Sequence, residues 1–183
     1  MHTPAADWLY GYDPATGEEL WKVKYGSLGF SLVPKPVVAN GMVYIGTSYM
    51  RPQLLAFDIT KPKPEIAWAC KRSVPAISSP ILVGGEIYFV SDSGGIVTCL
   101  DAKTGKEQWR ERIGGNHQAS PTFAGVRLLF HSREGETTVL QPGRKFNVLA
   151  RNRLDGEHHA SAAVSADALF LRTDKALYKI EDR

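Results

Sequence analysis

The sequence has only two cysteines, Cys70 and Cys99, in 183 residues. Two are too few for a disulfide framework, and their spacing is not that of a metal site. Both read as small buried apolar side chains, with a disulfide left open only if their strands are close neighbours. No run approaches the ~18 consecutive apolar residues of a membrane helix. The opening MHTPAADW lacks the apolar centre of a signal peptide. No sign of charge dominates either: 22 basic and 19 acidic residues are interleaved, for a net +3. No face is therefore forecast to attract a phosphate backbone, and nucleic acid is not implied as a partner. The reading is of a soluble chain without a membrane span, with residues 1–7 expected to be a disordered start or tag and the whole expected to belong to a longer, exported protein.

What is present points one way. A hydrophobic content of 43% is enough for a core, and 17 Gly and 11 Pro are spread along the chain. That dispersion suits many short strands joined by tight turns, an all-β protein. The strands recur. The segments KPVVANGMVYIGTS (Lys35 to Ser48), SPILVGGEIYFVSD (Ser79 to Asp92), SPTFAGVRLLFHSR (Ser120 to Arg133) and SAAVSADALFLRTD (Ser161 to Asp174) align without gaps. Their anchors Pro36, Pro80, Pro121 and Ala162 lie 44, 41 and 41 residues apart, and eight positions after each stands Tyr44, Tyr88, Leu129 or Phe170.

Each copy spells four strands. In the best preserved one, ILV, EIYFVSD, IVTCLD and KEQWRERI are separated by turns at Gly84–Gly85, Ser93–Gly95 and Lys103–Gly105. A phrase of Asp, turn and Trp closes the copies: Asp13, Gly17 and Trp21; Asp58 and Trp68; Asp101, Gly105 and Trp109. The copy after these is expected to place Val148 and Leu149 where the others have Trp. Four antiparallel strands at a period of forty-odd residues make a β-propeller blade, whose two faces only neighbouring blades can cover. The expected repeats are residues 8–30, 31–74, 75–115, 116–156 and 157–183, together one partial propeller over 8–183.

LDAKTGKEQW and YDPATGEELW resemble the tryptophan-docking repeat of the pyrroloquinoline-quinone (PQQ) type β-propellers, and SPILVGGEIYFVSD is similar to the first half of that repeat. The resemblance covers about residues 8–181. It implies a ring of seven or eight blades, of which about four would be present as a C-terminal half. A small closed ring with Leu20 to Lys24 beside Ala176 to Ile180, and a dimer of half rings through open blade edges, are the alternatives. The family contains quinoprotein dehydrogenases, the propeller lipoprotein of the outer-membrane β-barrel assembly machinery, and envelope proteins that bind no quinone. The expected location is accordingly the periplasm or cell envelope.

Quinoprotein chemistry would need a polar ring around PQQ, oxygen ligands for Ca²⁺ and a carboxylate base. Asp13, Asp58 and Asp101 instead share one turn position, which suits residues that accept backbone N–H groups. The expectation is a non-catalytic interaction or scaffold module with no cofactor; part of a PQQ- and Ca²⁺-dependent dehydrogenase is the alternative. His117 and His158 each lie four residues before a first-strand anchor, and His159 follows. With Arg72, Asn116 and Gln118 they are expected in loops around one mouth of the propeller. There they are either solvated loop residues or a surface for a protein or peptide partner.

Overall fold

In the computed structural model, residues 1–28, 31–47, 50–165 and 167–181 are described, and their regular structure is entirely β. Ser48 at the end of the first aligned copy, and the ends of the first and last expected repeats at residues 29–30 and 182–183, lie outside them. Five separate antiparallel sheets follow one another along the chain. Blade I holds β1 (His2–Pro4), β2 (Trp8–Tyr12) and β3 (Glu19–Lys24). Blade II holds β4 (Val37–Ala39), β5 (Met42–Gly46), β6 (Leu54–Asp58) and β7 (Glu65–Cys70). Blade III holds β8 (Ile81–Val83), β9 (Glu86–Val90), β10 (Ile96–Asp101) and β11 (Glu107–Arg112). Blade IV holds β12 (Thr122–Ala124), β13 (Arg127–His131), β14 (Glu136–Leu140) and β15 (Val148–Arg153), and blade V holds β16 (Ala163–Ser165), β17 (Ala168–Arg172) and β18 (Leu177–Glu181).

The architecture is an incomplete β-propeller. Strand order in every blade follows the chain, and β3 and β18 form no ladder with each other. The small closed ring is therefore not the arrangement adopted. His2–Pro4 pairs with β2 through Thr3 opposite Tyr10, so this part of the expected disordered start is a strand. Pairing with an already formed hairpin gives these residues backbone partners that composition does not reveal.

The middle strands are buried on both sides, which is why they read as unbroken apolar runs rather than alternating ones. Ile87, Phe89 and Leu100 pack toward blade II with Tyr44, Leu54 and Ala56. Tyr88, Val90, Val97 and Cys99 pack the other way, with Leu128, Phe130 and Leu140 of blade IV. Cys99 is fully buried and Cys70 half-buried, both free thiols. Burial pushes the Cys99 thiol up to about 12.

Tryptophans bolt the blades together. The Trp68 Nε1–H donates to the Ala102 carbonyl of blade III at 3.0 Å, and Trp109 Nε1–H to the Gly143 carbonyl of blade IV at 2.9 Å. Each indole thus docks onto the turn of the following blade. Opposite the indole, on the third strand, stands a small residue: Gly11 faces Trp21, Ala56 faces Trp68 and Cys99 faces Trp109. In blade IV the pair is reversed, Val139 facing Ala150. The expected substitutes for Trp were Val148 and Leu149, and the register corrects this. A bulge lies just before the Trp position in each of blades I to IV, at Leu20, Ala67, Gln108 and Leu149, so counting from the turn misses by one.

Blades IV and V leave between them a cavity of about 810 Å³ lined by Leu129, Val139, Leu154, Leu169, Leu171 and Ile180 among others. On the inner strands the blades are joined differently. The N–H groups of Lys35, Ser79 and Ser120 donate to the hydroxyls of Ser79, Ser120 and Ser161 at 2.8, 2.9 and 2.9 Å. The Ser-Pro repeat carried that signal, since proline cannot donate and the residue before it can.

One hairpin is strained. Val126, 77% exposed, closes the β12–β13 turn at φ +65°, a conformation that β-branched side chains disfavour by about 1–2 kcal/mol. Val126→Asn is expected to stabilise the chain by about 1 kcal/mol, because Asn tolerates this region and no packing is lost. A thermal melt should show a rise of about 2–4 °C.

Candidate functional site

The repeated carboxylates close turns. Asp13 Oδ1 accepts the N–H groups of Ala15 and Thr16 at 2.7 and 3.3 Å. Asp58 Oδ1 accepts both the N–H and the hydroxyl of Thr60, and Asp101 Oδ1 both the N–H and the hydroxyl of Thr104. The Thr hydroxyls, and then the Thr N–H groups, hold Asp58 and Asp101 below the usual carboxylate range. The other oxygen of Asp101 meets Arg144 at 3.1 Å, and Arg144 also reaches Glu86 at 2.9 Å. The three Asp close turns of three different blades and are not gathered into one ligand set.

The opposite end of the blades carries the links that run from a fourth strand to the next first strand. Here acidic side chains that sequence reasoning passed over do the holding. Asp92 accepts the N–H of Ala76 at 2.7 Å, Asp174 that of Glu157 at 2.7 Å, and Glu134 both the N–H and the side-chain amide of Asn116. Burial opposes ionisation of Glu134, but the Asn116 donors outweigh it and pull its carboxyl down to about 2. Asp92 and Asp174 end two of the aligned copies, so the signal was visible as a recurrent acid after the second strand.

His117 and His158 are equivalent, as their spacing predicts. The backbone N–H of His117 donates to the Asp92 carbonyl at 2.8 Å, and that of His158 to the Arg133 carbonyl at 3.3 Å. Their rings do not line a mouth, however: His117 is 1% exposed and His158 0%. Each link is pinned to the preceding blade's turn, which turns the side chain under it, at the place occupied in the previous link by buried Ala76. His117 Nδ1 lies 3.0 Å from the carbonyl of His131 and Nε2 2.9 Å from that of Gly114. Burial pushes His117 below its ordinary value although both carbonyls pull the other way.

His131, which the sequence reading did not single out, completes a buried cluster. It lies on β13, 1% exposed, with Nδ1 2.9 Å from Thr137 Oγ1 and its ring centroid 5.6 Å from that of His158. Burial, then the neighbouring His158 and His117, push it down to about 3. The remaining expected residues are at the surface. His159 Nδ1 pairs with Gln118 Oε1 at 3.0 Å, and its Nε2 lies 3.1 Å from Glu157, which also holds Arg133 at 3.1 Å. Asn116 and Arg72 are exposed on the corresponding links. His159 and Gln118, on links 41 residues apart, are thus in direct contact.

This blade pattern has known counterparts. The profile of the family described as outer membrane protein assembly factor BamB matches residues 5–175. The chain belongs to that family. A curated relative, the outer membrane protein assembly factor BamB of Burkholderia pseudomallei (strain K96243), is 32% identical over 95 residues, 52% of this chain and 24% of that protein. The crystal structure of BamB from Moraxella catarrhalis superposes with a TM-score of 0.69 at 16% identity, covering 95% of this chain and 52% of that one. A europium-containing methanol dehydrogenase superposes with a TM-score of 0.57 at 19% identity over 66% of this chain and 24% of that one. The chain therefore spans about half or less of the length of the relatives it matches, and the structural likenesses establish the propeller fold. Family members share the blades; the groups displayed at the blade ends distinguish them.

Proposed function

We propose that this chain is a non-catalytic propeller scaffold of the cell envelope that holds a protein or peptide partner in outer-membrane protein assembly. The observation that carries the reading is the use of the repeated carboxylates: Asp13, Asp58 and Asp101 close turns, while Asp92, Glu134 and Asp174 fasten links. The acids build the frame. The surface that remains for a partner is the end carrying Arg72, Asn116, Gln118 and His159, a mixed polar face rather than an apolar pocket. The family's description as an outer membrane protein assembly factor supports the class of partner. Neither PQQ nor Ca²⁺ is required by this reading.

Two measurements test it together. The chain is expected to bind the purified outer-membrane protein assembly complex in biolayer interferometry, and Arg72→Glu with His159→Glu to weaken that binding at least tenfold. PQQ with Ca²⁺ is expected to leave the unfolding midpoint unchanged, where a ligand at a hundred times its dissociation constant would add about 2.7 kcal/mol. No binding to the complex, or a clear shift with the quinone, would overturn the scaffold reading. Sedimentation of the free chain reads self-association through open blade edges separately.

A further inference from the structure

We propose that the buried cluster of His117, His131 and His158 is an acid-sensitive latch that releases blade V from blade IV. Its geometry is unusual for a core. His131 Nε2 and both ring nitrogens of His158 are buried with no hydrogen-bond partner among the described residues. His131 belongs to the sheet of blade IV, and His158 to the link that leads into blade V. Their rings face each other with centroids 5.6 Å apart.

The neutral cluster fits this space; the charged one does not. His117 can accommodate a proton, since both its nitrogens face carbonyls and the Glu134 and Asp92 carboxylates are near enough to favour the cation. A proton on His131 or His158 finds no such acceptor. It places a new N–H donor where nothing among the described residues receives it, beside a second buried imidazole. The surrounding charges do not rescue it. Glu157 is engaged by Arg133 and His159, and Asp174 by the Glu157 N–H, while Arg133 adds positive charge with its own Nε buried and unpartnered. Opening the interface exposes the rings to water, where they take protons at the ordinary histidine value.

The position of the latch decides what opens. Between blades III and IV the indole of Trp109 fills the interface and donates across it. Between blades IV and V that position is Ala150, and a cavity of about 810 Å³, lined by its ladder partner Val139, separates the two sheets. Thr137 lines that cavity and also holds His131, so the cavity between blades IV and V and the protonatable cluster are continuous. The direction with pH follows from linkage. A histidine held neutral in the closed form and free in the open form lets the open form bind more protons, so closure strengthens as pH rises and is lost as pH falls from about 6.5 toward about 3, the value to which His131 is driven.

Hydrogen exchange by mass spectrometry on the full 183-residue chain tests this at about pH 7.5 and about pH 5.5, with rates corrected for intrinsic exchange. Protection in β16–β18 should fall by about tenfold, for the proton that His131 takes only in the open form. Protection in β8–β11 should hold. The double variant His131→Gln with His158→Leu should remove the difference between the two sheets. Parallel responses of blades III and V in the parent chain would overturn the proposal, whether or not the variant folds. So would a double variant that folds and keeps the selective loss.

Discussion

Trp109→Ala is expected to lower stability by roughly 3 to 5 kcal/mol, the range for truncating a large aromatic in a core. The indole is 8% exposed and sits against Tyr88 and Phe146, with ring centroids 5.9 and 5.2 Å away. Its N–H and the Tyr88 hydroxyl hold the same residue through its two flanking peptide units: Trp109 donates to the Gly143 carbonyl, and the Gly143 N–H donates to Tyr88 at 2.8 Å. Removing the ring leaves the half-buried Gly143 carbonyl with the weak Cys99 thiol donor at 3.8 Å, as well as a hole. Urea unfolding should show a lower midpoint with little change in slope. A midpoint equal to the parent's would mean that the indole does not bear on the blade III–IV contact.

Gly105→Ala is expected to cost roughly 2 to 4 kcal/mol, from two separable causes. The residue has φ +71°, where an L side chain loses about 1–2 kcal/mol. A Cβ there would also stand 2.6 Å from the Trp68 ring, and forcing such a ring aside costs about 1–3 kcal/mol. Gly17, at the same place in blade I, separates the causes, because it has φ +76° and nothing within 4 Å of a built Cβ. Gly17→Ala should therefore cost only the conformational part. Equal losses at the two sites would show that Trp68 does not dock on the blade III turn.

These two substitutions also restate the recurrent phrase in physical terms. In CLDAKTGKEQW, Asp101 and Thr104 build a turn, Gly105 receives the indole of the preceding blade, and Trp109 reaches the following one. A phrase that both receives and offers must recur once per blade. The same dependence explains blade IV, where Val139 and Ala150 exchange large for small and the contact to blade V loosens.

The sequence by itself determined the four-stranded repeat, its phase, the turn role of its aspartates and the equivalence of His117 with His158. Each depends on short-range spacing, and turn chemistry and strand length are local properties. Only the tertiary structure decided that these two rings are buried with His131, that Ala150 rather than Val148 or Leu149 takes the place of Trp, and that His2–Pro4 is a strand. Those outcomes rest on a bulge, a neighbouring turn and a facing sheet. The burial of the rings depends on the turns at Asp92 and Arg133 and on the facing sheet, distant in the chain, while the bulge and the first strand are set by ladder register within single hairpins, which residue spacing does not encode.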